Sequence, residues 1–134
     1  MRIKELLICS ILLFSFILLE AQNNNENINP NSKAEIVFEK TVHNYGTIKK
    51  GADGTCEFHF KNKGKEPLML TNVSTSCGCT VPTWPKEPIK PGKKGVIKVV
   101  YDTKRIGFIN KTITVWSNAK NQSVVLTIKG VVEE

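Results

Sequence analysis

The sequence predicts an all-β fold, on three observations. After Lys33 no stretch of helical length places apolar residues at i, i+3, i+4 and i+7. Two-residue alternation recurs instead, in short runs bounded by turn residues. The part that alternates is also about a hundred residues long, the usual size of an immunoglobulin-like sandwich, in which about seven strands form two antiparallel sheets packed face to face.

The elements follow in order from the N-terminus. Met1 to Glu5 carries Arg2 and Lys4, and Leu6 to Leu19 is an uncharged run of 14 residues. That is long enough for the apolar region of a signal peptide and shorter than the ~20 residues a membrane span needs. Ala21 supplies a small residue where a peptidase can cut, so residues 1–21 are read as an export signal, and Cys9 as leaving with it. Gln22 to Lys33 holds six Asn, one Pro and a single large apolar residue, Ile28. Such a segment buries too little apolar surface to offset its ordering entropy, which makes it a disordered linker. The folded domain is then 34–134.

Within that domain Glu35 to Phe38 and Thr41 to Tyr45 form a broken first strand, which Asn44-Tyr45-Gly46 ends. Thr55 to Asn62 alternates cleanly, with Cys56, Phe58 and Phe60 facing inward and Thr55, Glu57 and His59 outward. A turn at Asn62-Lys63-Gly64-Lys65 leads to Pro67–Ser74, where Leu68 and Leu70 keep the period and Val73 breaks it, suggesting a bulge there. Pro82, Pro85, Pro88 and Pro91 forbid a helix or a central strand, and this stretch reads as an irregular crossing loop. Gly95 to Asp102 turns Ile97, Val99 and Tyr101 to one face; Gly107 to Ser117 does the same with Ile109, Ile113 and Val115, leaving Phe108 and Trp116 on the other. After Asn118–Asn121, Val124, Leu126 and Ile128 alternate in the last strand.

Composition narrows the function. The 134 residues suffice for one domain, and 40% hydrophobic content is too high for disorder throughout. The net charge is +7 with or without residues 1–21, because that segment holds two basic and two acidic residues. Arg105 is the one arginine left, and scattered lysines without interleaved aromatics describe a solvated surface rather than a nucleic-acid groove. Neither a phosphate-cradling glycine loop nor a G-x-S-x-G elbow occurs, so catalysis is disfavoured. His59 faces outward and His43 lies beside a turn, positions of surface residues rather than ligands.

Four segments carry a family resemblance: Asn44-Tyr45-Gly46-Thr47-Ile48, Phe58-His59-Phe60-Lys61-Asn62, Ser76-Cys77-Gly78-Cys79-Thr80, and Ile89-Lys90-Pro91-Gly92 leading into Ile97-Lys98-Val99. Together they resemble the bacterial exported family called domain of unknown function 1573, whose members look like hydin-type and major-sperm-protein-type immunoglobulin domains. The resemblance runs from about Phe38 to Val131, and the Cys-Gly-Cys segment is its most specific part. It implies the fold and a location outside the cytoplasm: periplasm, cell envelope or secreted. Cys56 lies outside these motifs, so any role for it rests on this chain alone.

With the signal removed, Cys56, Cys77 and Cys79 remain, an odd number in a compartment where disulfides form. Cys77 and Cys79 can bridge across Gly78 in a tight ring; Cys56 can meet either of them or stay a buried thiol. As thiolates, Cys77 and Cys79 also suit a soft ion such as Cu(I), while zinc ordinarily wants four ligands and a longer spacer. Thiol–disulfide exchange normally uses C-x-x-C at a helix start, and no helix is expected here. The structural reading therefore leads. Trp84, between two prolines, is read as packing on the sandwich end or, beside Cys77, Gly78 and Cys79, as an anchor for a partner. The function expected is non-catalytic binding of an envelope or extracellular protein through a sheet edge or the Ser76–Pro91 loop; the rival is a periplasmic thiol protein handling Cu(I) or disulfides at Cys77 and Cys79.

Overall fold

The computed structural model describes residues 31–134. The expected signal, 1–21, and residues 22–30 of the expected linker lie outside the described residues. Eight strands follow one another: β1 Ile36–Phe38, β2 Val42–Lys49, β3 Thr55–Asn62, β4 Leu70–Thr75, β5 Thr80–Thr83, β6 Lys94–Tyr101, β7 Gly107–Ser117 and β8 Ser123–Glu133. They form two four-stranded sheets, β1-β3-β6-β5 and β2-β8-β7-β4. This is an all-β sandwich of the immunoglobulin type.

Alternation sets which side chains fill it. On β3 Cys56, Phe58 and Phe60 are buried, and they meet Ile97, Val99 and Tyr101 of β6 on the same inner face. The second sheet contributes Ile109, Ile113 and Val115 from β7 and Leu126, Ile128 and Val132 from β8. Each such side chain stabilises the fold by about 1.5–3 kcal/mol through the apolar area it removes from water. Gly95 keeps space open for this packing, since a Cβ there would run into the Phe60 ring.

Four features depart from the sequence reading. The broken first strand changes sheets at its break: β1 pairs with β3, while β2 crosses over and pairs with β8. That β2–β8 pair is parallel, the one exception among the six strand pairs of the described residues. Asn44-Tyr45-Gly46 does not end the strand either; Gly46, at φ 67°, makes a bulge and β2 continues to Lys49. The register irregularity of β4 falls between Leu70 and Asn72 rather than at Val73, which is buried. Finally, the proline-rich stretch opens with an eighth strand, β5, which tolerates Pro82 because it lies at a sheet edge.

Candidate functional site

The sandwich has four edge strands, and the chain crosses between sheets along both open sides. On one side β1 leads to β2; on the other β4 leads to β5 through Ser76–Cys79. Edges expose main-chain N–H and C=O groups that another chain can pair with. Which edges are usable is settled by what each already bonds.

The β4–β5 corner is closed on itself. Cys77 and Cys79 form a disulfide with Cα atoms 5.2 Å apart. The Cys79 N–H donates to Cys77 Sγ at 3.2 Å and the Thr80 N–H to the Cys77 carbonyl at 3.2 Å. Thr75 Oγ1 donates to the Cys77 carbonyl at 2.9 Å, and the Cys79 carbonyl accepts from the Asp102 N–H at 2.8 Å. That last bond fixes the register of β5, so that Val81 exchanges bonds with Val100 while Thr80 and Pro82 turn their main chain outward. Of those two, Thr80 has its N–H spent in the turn and Pro82 has none. The β5 edge is therefore blunted.

Cys56 joins neither cysteine. It is a free, buried thiol on β3, and β6 lies between β3 and β5, so the β3 and β5 main chains run about 9.5 Å apart, beyond the ~7 Å Cα separation a disulfide spans. Instead Cys56 Sγ lies 3.4 Å from the Tyr45 hydroxyl, which donates to the Gly54 carbonyl at 2.7 Å. Burial pushes the thiol's pKa up, partly offset by the Tyr45 contact, and burial likewise raises Tyr45. A thiol held protonated in this way is a poor nucleophile and a poor metal ligand. Among the described residues no three His, Cys, Asp or Glu side chains converge to hold a metal. Reduced, Cys77 and Cys79 would offer Cu(I) two thiolates and no third ligand of that set.

The other sequence candidates are placed apart. Trp84 packs against the core, with the Lys86 ammonium 3.0 Å from its ring centroid. Exposed His59 pairs with Glu57 at 3.1 Å. His43 stacks edge-on against Tyr45 and takes a contact from Lys40 Nζ at 3.0 Å; burial and then the lysine charge lower its pKa.

The β2 edge differs from the β5 edge. Thr127 N–H donates to the Thr41 carbonyl at 2.8 Å and Lys50 N–H to the Glu133 carbonyl at 2.7 Å. In a parallel pair this alternation turns the main chains of Val42, Asn44, Thr47 and Lys49 away from β8. All four residues are exposed. Beside the edge, an open groove of about 600 Å3 runs over the outer sheet face, between Asn44 and Thr47 of β2 and Phe108 of β7, with Lys129 and Gly130 of β8 along it. Phe108 is 87% exposed. Gly130 makes the depression possible: a Cβ there would come within 2.8 Å of the Gly46 carbonyl at the bulge. Parity alone turned Phe108 outward in the sequence, but nothing local to it indicated the bulge or the edge beside it.

The family profile for proteins of unknown function called DUF1573 matches residues 36–132, almost the whole described domain. The chain belongs to the DUF1573 family. No curated protein matches this DUF1573 chain. Among solved structures, it is similar to a protein of unknown function from Porphyromonas gingivalis, at 18% identity and TM-score 0.67 over 81% of this chain and 51% of that one. The chain thus spans about half the length of that relative. It is also similar to PapD-like domain 7 of human CEP192, at 8% identity and TM-score 0.65 over 80% of this chain and 93% of that one. The YadV chaperone matches at 18% identity and TM-score 0.50 over 74% and 51%. At these identities the likeness establishes the fold: the DUF1573 sandwich shares its architecture with PapD-like immunoglobulin-type domains.

Proposed function

We propose that this DUF1573 domain is an exported, non-catalytic binding module that takes an extended segment of an envelope or extracellular protein onto the free edge of β2. The observation that carries this reading is the contrast between edges. At β5 the outward donors are spent or missing, whereas β2 offers four outward-facing residues beside a groove walled by an 87%-exposed phenylalanine. In strand addition the main-chain bonds supply affinity and pockets for alternate side chains supply specificity, and this side of the sandwich offers both. One structural neighbour is by its name a chaperone, which agrees with the reading at the level of fold. Residues 1–21 are the export signal in this account.

The test uses proline on the edge. Val42→Pro and Asn44→Pro each remove an N–H that points away from β8, so no internal ladder bond is lost. Exported wild-type protein, immobilised, should capture a partner from an envelope extract, identified by mass spectrometry. Both variants should lose that partner with an unchanged melting midpoint. Full capture by both folded variants would overturn the β2 assignment. Capture lost instead in a Cys77→Ser/Cys79→Ser double variant of unchanged stability would favour the corner, and with it the thiol reading.

A further inference from the structure

Charge along this sandwich is distributed unevenly between its two ends. At one end lie the loops after β3 and after β5, the β7–β8 turn and the residues leading into β1. Their closeness is shown by main-chain bonds: Lys65 N–H donates to the Lys33 carbonyl at 2.7 Å, Asn62 N–H to the Lys93 carbonyl at 3.0 Å, and Lys120 N–H to the Ala34 carbonyl at 2.8 Å. Lys61 pairs with Lys94 across β3 and β6. With Lys63, Lys86 and Lys90 on the same loops, this end carries nine lysines against three glutamates, Glu35, Glu66 and Glu87, a net +6. The opposite end carries Lys49, Lys50, Lys104 and Arg105 against Asp53, Asp102, Glu133 and Glu134, a net zero.

The lysines of the basic end are exposed apart from half-buried Lys61. Among the described residues the ion pairs are Lys49–Glu133 and His59–Glu57, both elsewhere. Nine lysines against three glutamates, brought together by folding, leave a net repulsion that an external polyanion relieves.

A second, independent observation says which polyanion. The chain enters the described fold at this same end, where Ser32 Oγ donates to the Asn118 carbonyl at 2.6 Å and the Lys33 carbonyl accepts from Lys65. The apolar run Leu6–Leu19 lies just upstream, and the eleven residues from Glu20 to Pro30 reach at most roughly 40 Å. The eleven residues of β7 span roughly 37 Å from one end of the sandwich to the other. Whenever the apolar run sits in a bilayer, the basic end is the one joined to it directly through Ser32 and Lys33, and the neutral end lies a further sandwich length away along the chain's path.

We propose that this lysine pole is a docking surface for anionic phospholipid headgroups, which orients the domain on a membrane while it is still joined to its N-terminal segment. It stands apart from the β2 reading, since the pole and the edge share no residue. Each lysine brought to an anionic leaflet contributes roughly fivefold in affinity, so four reversed charges suffice to abolish the pole's part of the lipid preference.

The experiment compares the full chain with two quadruple variants of equal net charge. One is Lys63→Glu, Lys65→Glu, Lys93→Glu, Lys94→Glu at the pole; the other is Lys49→Glu, Lys50→Glu, Lys104→Glu, Arg105→Glu at the far end. Flotation is measured with vesicles of phosphatidylcholine alone and with phosphatidylglycerol added at about one-third. Because the apolar segment, Arg2 and Lys4 are common to every variant, the difference in lipid ratio between the pole variant and the far-end variant isolates the pole. In low salt, wild type and the far-end variant should prefer the anionic vesicles at least tenfold more strongly than the pole variant does. Equal loss in both variants would reduce the effect to net charge and overturn the proposal, as would wild type with no lipid preference that is nonetheless retained on a soluble sulfated glycan. A Lys→Gln set at the four pole positions, matched to wild type in melting midpoint, should also show a weakened preference; if it keeps that of wild type, the pole is not the docking surface.

Discussion

Replacing Asn62 by alanine should destabilise the domain more than any exposed substitution, although the residue lies in what reads as a polar turn. Its side chain is fully buried. Nδ2 donates to the Glu66 carbonyl at 2.7 Å and to the Ile89 carbonyl at 2.9 Å; Oδ1 accepts from Gly64 N–H at 2.9 Å and from Glu35 N–H at 3.4 Å. One amide thus joins the strand leading in, the loop after β3 and the loop before β6. In Asn62→Ala the Ile89 carbonyl keeps its bond from Leu68 N–H at 2.8 Å. The Glu66 carbonyl and the N–H groups of Gly64 and Glu35 lose the bonds described here. Each such group costs about 1–3 kcal/mol where burial keeps water from it; Glu66 is exposed and Gly64 and Glu35 are half-buried, so three groups near the lower end of that range sum to about 3–5 kcal/mol. For a domain near one hundred residues this is a fall of roughly 10–30 °C in melting midpoint. Urea titration at neutral pH measures it, and a loss below about 1 kcal/mol would refute the reasoning. Asn62→Asp keeps the acceptor but buries a carboxylate with no donor to offer. Its folded-state pKa should be raised, so its deficit relative to wild type should shrink as pH falls towards 4.

Further outcomes follow from the same geometry. Gly130→Ala should cost about 1–3 kcal/mol, because its Cβ meets the Gly46 carbonyl at 2.8 Å and the bulge cannot give way without loosening β2; thermal melting checks it, and an unshifted midpoint would show that the bulge is free to move. Alkylation of non-reduced protein should leave Cys56 unmodified in the native state, label it once on denaturation, and add Cys77 and Cys79 only after reduction; mass spectrometry counts the adducts, and an adduct on Cys77 or Cys79 before reduction would contradict the bridge. His43 should titrate below its ordinary range by proton NMR. Because the unfolded chain binds that proton more readily, His43 contributes stability that is present above about pH 6.5 and is lost as pH falls through its lowered value; an unchanged difference between wild type and His43→Asn across that window would contradict the assignment.

How much of this was legible in the sequence depends on the range of the interaction concerned. Thr55–Asn62 could be read residue by residue, because alternation is local and Phe58 and Phe60 mark the inner face. The parallel pairing of β2 with β8 could not, since its partners lie about eighty residues apart and nothing in Val42–Lys49 distinguishes one neighbour from another. Gly46 carries the same signal whether it ends a strand or bulges it, and only the resumed pairing at Thr47 decides. Pro82 argued correctly against a central strand but concealed an edge one. Asn62 looked like a turn residue because its four bonds go to segments up to 27 residues away. The lysine pole is collected from four separate stretches, and its opposite, the neutral end, from three more.

The account's central claim, that β2 is an open and working edge, is tested most directly by amide hydrogen exchange on the exported protein, free and bound to its captured partner. The N–H groups of Val42, Asn44 and Thr47 should exchange rapidly when free and become protected in the complex, with those of β5 unchanged. Protection of these amides in the free protein, or new protection confined to Ser76–Pro91, would contradict it.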